Sequence, residues 1–183
     1  MSMIELMMAI TLLAVGMSAV MALIAGSVAT NNRNKLDTTA TNLSQMMLER
    51  LIAAGVNPTS SFTVTDCASN VLAVDPTGST SGRGAAIVTS GLDAGNIDFS
   101  SNPSPSSGYS INYVACGSAG TRATYNIRWN VTILQGTTDA NAVTKQIRVA
   151  TRQIAAATDG PNRLKFFAPP ATLRTVIGRP WNP

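Results

Sequence analysis

Apolar residues run almost without interruption from Leu6 to Gly26, broken only by Thr11, Ser18 and two glycines, and no charge stands between Glu5 and Arg33. At about 1.5 Å per residue this stretch makes roughly 31 Å of helix, enough to cross a bilayer core of about 30 Å. A transmembrane helix is therefore expected over residues 1–28. A cleaved secretory signal is the competing reading, but the span is long for such a segment, no Lys or Arg precedes it, and no small-x-small cleavage site stands out after it. Further along, the pattern changes. Leu36, Ala40, Leu43, Met47 and Leu51 recur at helical spacing while Asp37, Thr41, Gln45 and Glu49 are polar, which predicts one apolar stripe on a continuing helix. Gly55 and then Pro58 supply the stop, so this amphipathic continuation occupies 29–54.

Period two then takes over. Tyr125, Ile127, Trp129, Val131 and Ile133 alternate with Thr124, Asn126, Arg128, Asn130 and Thr132, the clearest half-buried strand in the chain. A turn over Gln135 to Asn141, containing Gly136, leads into a hairpin partner from Val143 to Thr151. Tyr109, Ile111 and Tyr113 predict another strand, and Ala85 to Ser90 a short one. Asp75 to Gly84 and Ser100 to Gly108 read as long surface loops. The expected class is α+β, with a long N-terminal spine helix and a small antiparallel β-sheet head over 55–183. One sheet face packs on the helix stripe and the other meets solvent.

Composition removes most chemistry. The chain has 183 residues and no histidine, which excludes His bases, Ser-His or Cys-His nucleophile pairs and His-ligated metals. Two cysteines are too few for a structural zinc site. Asp93 and Asp98 share a loop, but their spacing misses an EF-hand. No phosphate-binding glycine loop or nucleophile elbow occurs. No enzyme activity, cofactor or metal is expected. From Arg122 onward nine basic residues face only Asp139 and Asp159. Such a face can attract DNA, yet a solvated sheet face is the preferred reading. The sequons at Asn42 and Asn130 are taken as accidental, and Phe166-Phe167 and Trp181 as a tail packing on the head or on a neighbour.

Two features do not suit a plain anchor. Glu5 places a carboxylate at the head of the apolar run, where burial of a charge costs several kcal/mol unless a cation compensates it. Ala14, Ser18, Ala22 and Gly26 recur every fourth residue, giving one helix face of small side chains that lets another helix approach closely. Orientation adds a conflict: Arg33 and Lys35 follow the span, so the positive-inside rule would keep the head in the cytoplasm. A short basic leader, once ahead of Met1 and since removed, resolves it.

Met1-Ser2-Met3-Ile4-Glu5-Leu6-Met7 followed by an apolar run resembles the mature N-terminus of type IV pilins and the pseudopilins of type II secretion. The resemblance implies cleavage by a prepilin peptidase, N-methylation of Met1 where Phe is commoner, and a registry role for Glu5, paired with the N-terminal ammonium of a neighbouring subunit. It also implies an inner-membrane precursor, an assembly machinery, and a helical homo-oligomer as an extracellular pilus or periplasmic pseudopilus. Family members often loosen the helix near a proline, whereas here Gly16 lies mid-helix and no proline precedes Pro58. The hairpin from Ile127 to Val149 is loosely similar to that of the family's minor pilins. In an exported head, the even pair Cys67 and Cys116 predicts a disulfide, with two buried thiols as the alternative. Three roles stay open: a filament subunit, a minor or priming subunit of a pilus or secretion pseudopilus, and a periplasmic binding domain using the helix only as a tether.

Overall fold

A computed structural model describes residues 3–100, 108–117, 122–154 and 170–179, with only the backbone of Asn32 and Arg33. Helix α1 spans Met3–Ala53 without a break. Two compact units divide within it: Met1–Asp37, and Thr38–Pro183.

In the first unit α1 is exposed on every side from Met3 to Asn31, and a helix apolar all round is one suited to a membrane or to packing among other helices. In the second unit Ala40, Leu43, Met47 and Leu51 are buried, so the stripe read from the sequence is the core-facing one. The helix ends one residue short of the expected Ala54. Ala54 N–H and Gly55 N–H bond back to Arg50 and Ile52 carbonyls, and Gly55 takes φ +79°, the left-handed geometry that terminates helices.

The strands are β1 (Phe62–Thr65), β2 (Val71–Val74), β3 (Arg83–Gly84), β4 (Ser110–Cys116), β5 (Arg122–Gln135), β6 (Thr144–Ile154) and β7 (Ala171–Gly178). β1 and β2 form a separate antiparallel hairpin. The other five make an antiparallel sheet in the order β3-β5-β6-β7, with β4 also paired to β5. β5 is thus the hub: Tyr125 opposes Tyr113, Trp129 opposes Val149, and Val131 opposes both Ile147 and Arg83. Its alternating residues Tyr125, Ile127, Trp129 and Val131 lie in one core with Leu43, Met47 and Leu51 of α1. The buried indole N–H of Trp129 donates to the Asp75 carbonyl at 2.8 Å, so the largest core side chain leaves no donor unmet.

Three expectations need correction. The second face of β5 is not in solvent: Arg128 and Asn130 are buried under the segment 85–99, whose Ala85 and Ile97 pack on Ala150. Ala85 to Ser90 is not a strand; it joins the opposite arm of that segment through the single bridge Ile87–Ile97. Ahead of it, Gly84 has φ +118° and lies so close to β5 that a Cβ would sit 2.4 Å from the Trp129 carbonyl oxygen. Glycine is the residue that admits both that conformation and that approach. Asp75 to Gly84, read as a surface loop, lies partly buried, with Ser79 bridged to Thr132 of β5. Residues 101–107 of the second expected loop, and Phe166, Phe167 and Trp181, lie outside the described residues.

Candidate functional site

Every residue from Met3 to Asn31 is exposed, including Leu6, Met7, Leu12, Leu13, Val20, Leu23 and Ile24. Three hydroxyls of this stretch bond back to the helix backbone. Thr11 Oγ1 donates to the Met8 carbonyl at 2.9 Å, Ser18 Oγ to Val15 at 2.8 Å, and Thr30 Oγ1 to Gly26 at 3.0 Å. A hydroxyl satisfied in this way enters an apolar environment without losing a water partner. The helix is long and apolar enough to cross a membrane by length and composition.

Glu5 stands in the first turn of α1, exposed. There a carboxylate meets the positive end of the helix dipole, and its charge stays unmatched within the described part of the unit. Met1, the expected methylation site, lies outside the described residues. Ala14, Ser18, Ala22 and Gly26 are all exposed and share one side of α1. Gly16 and Gly26 have nothing within 4 Å of the position a Cβ would take. Among the described residues no contact therefore requires glycine at either place, although glycine costs a helix interior about 1 kcal/mol relative to alanine.

The head holds the charged groups that sequence reasoning could not place. Cys67 and Cys116 form a disulfide that ties the turn after β1 to the end of β4. In the same turn, Asp66 accepts hydrogen bonds from the amides of Ala68, Asn70 and Val114 and from the Asn70 side chain. Burial alone would raise its carboxyl; the Asn70 side chain and these amides outweigh that and hold it below the usual value. Lys145, expected among alternating strand residues, is buried and paired with Asp139, which also accepts from the Gly78 amide at 3.0 Å. Ser44, the third residue of a sequon, is buried against Thr151 and the Ala171 carbonyl. Asn130 of the other sequon donates to the Ala85 carbonyl. Arg163 and Lys165 of the basic half lie outside the described residues.

Among the described residues no three acidic or cysteine side chains converge as metal ligands. No family model matches the chain, and neither the curated proteins nor the solved structures include a match.

Proposed function

We propose that this chain is a structural subunit of a type IV pilus-like filament, held in the inner membrane by α1 and assembled through it. The observation that supports this reading is the character of the first thirty residues: apolar on all sides, the Thr11, Ser18 and Thr30 hydroxyls closed onto their own backbone, and Glu5 as the single charged side chain before Arg33. A tether needs only the apolar length. A bundle of like helices also needs close approach and a device that fixes register, since moving a helix from lipid to other apolar helices gains little from the hydrophobic effect. The face of small side chains at Ala14, Ser18, Ala22 and Gly26 serves the first need. Glu5 serves the second by pairing with the N-terminal ammonium of a neighbour, because an uncompensated carboxylate in such a core is strongly disfavoured.

Catalysis has no part in this reading; the β-rich heads form the filament surface and carry any contact with the outside. Its first test is mass spectrometry of protein sheared from cells that express the chain. A chain beginning at an N-methylated Met1 within filamentous material is expected. An unmethylated, unprocessed chain that never enters such material contradicts the reading and leaves a tethered periplasmic domain.

A further inference from the structure

Five arginines occupy the outer face of the five-stranded sheet: Arg122, at its exposed end, and Arg128 on β5, Arg148 and Arg152 on β6, and Arg174 on β7. Arg128 and Arg152 hold the segment 85–99. Arg128 Nε donates to Asn126 Oδ1 at 2.6 Å and its Nη1 to the Asp98 carbonyl at 2.7 Å. Its guanidinium and that of Arg152 lie 4.6 and 4.8 Å from the centre of the Phe99 ring, a cation–π arrangement that offsets two neighbouring positive charges.

Arg148 and Arg174 have no such use. They oppose each other directly across β6 and β7, where like charges repel. Arg148 Nε is buried with no acceptor, and neither side chain forms an ion pair among the described residues. The residue across β5, Asn130, already donates its amide to Ala85 and accepts from Thr132. Burial, and then the Arg174 charge, make the Arg148 cation harder to keep than a free guanidinium. Because Nε is closed off, compensation has to arrive at the terminal nitrogens, on the side where Arg174 is exposed. Two guanidinium forks on adjacent strands match the paired oxygens of one small anion.

We propose that Arg148 and Arg174 form a seat for a single oxyanion, a phosphate or a carboxylate, on the outer face of β6 and β7. The seat is independent of how the apolar helix is used, so it stands whether the chain polymerises or not.

The test is a titration of the full chain, in a non-ionic detergent, with sodium phosphate and separately with sodium succinate, ionic strength being held constant with chloride. Binding is read from the Nε–H resonance of Arg148, whose burial slows its exchange with water. A saturable shift is expected, weakened about tenfold by Arg174→Gln, which removes one charged fork. Arg122→Gln, which removes the same charge at the exposed start of β5, should leave it unchanged. Saturation by phosphate alone assigns a phosphate ligand; saturation by succinate alone assigns a carboxylate borne by another molecule. Absence of saturation with both anions, or equal weakening by the two substitutions, reduces the pair to general charge screening and overturns the proposal.

Discussion

Lys145 and Asp139 show how much a single buried charge depends on its partner. The ammonium is almost wholly out of solvent, while Asp139 sits at the turn between β5 and β6 and also binds the Gly78 amide. Removing Asp139 leaves a buried ammonium uncompensated, whereas replacing the lysine by an apolar chain of similar length leaves a partly exposed carboxylate that keeps its bond from the Gly78 amide. Asp139→Ala is expected to destabilise the head by about 3 kcal/mol, and Lys145→Met by less than half of that, measured by denaturant unfolding. Acid and alkali should each expose one residue. Hydrogen bonds hold Asp66 below the ordinary carboxylate value, so its contribution is complete above about pH 4 and is lost as pH falls through its folded value. Tyr109 is pushed up to about 12, first by burial and against a hydrogen bond with Thr77. The unfolded chain releases that proton at about pH 10, so stability should fall as pH rises from about 10 to 12. In Tyr109→Phe that alkaline loss should shrink; an unchanged slope would remove Tyr109 as its source.

Among the elements, the disulfide and β5 organise the head. Closing a loop with a sequence separation of 49 between Cys67 and Cys116 contributes about 4 kcal/mol through the unfolded chain. Cys67→Ser with Cys116→Ser should lower the midpoint of thermal unfolding accordingly, and reduction of the wild-type chain should match the double variant. At this scale the sequence was informative where one face was buried and the period was clean. The α1 stripe and strands β4, β5 and β6 were legible for that reason. β1 and β2 are four residues each, too short to show a period. In β7, Leu173 and Ile177 share one face, but Val176 interrupts the polar face opposite, so its alternation is blurred. The roof over Arg128 and Asn130 was illegible for a different reason. Polar residues alternating with apolar ones imply solvent unless a distant segment covers them, and here Phe99 and Asp98 supply the matching ring and carbonyl. The exposure of Glu5 and of the small-residue face, which we propose as assembly residues, was readable directly, because among the described residues nothing packs on that stretch of α1 to alter what the sequence shows.

For the molecule as a whole, we propose the apolar half of α1 as an assembly surface whose register Glu5 sets. The most direct measurement is electron microscopy of the sheared surface fraction from cells expressing either the wild-type chain or Glu5→Ala, with the membrane fraction assayed alongside. Long filaments containing the wild-type chain are expected. The Glu5→Ala chain should be lost from that fraction while remaining folded, disulfide-bonded and in the membrane, since the substitution touches neither the head nor the apolar span. Filaments of equal number and length from both chains, or a wild-type chain found only as a membrane-held monomer, would contradict the account.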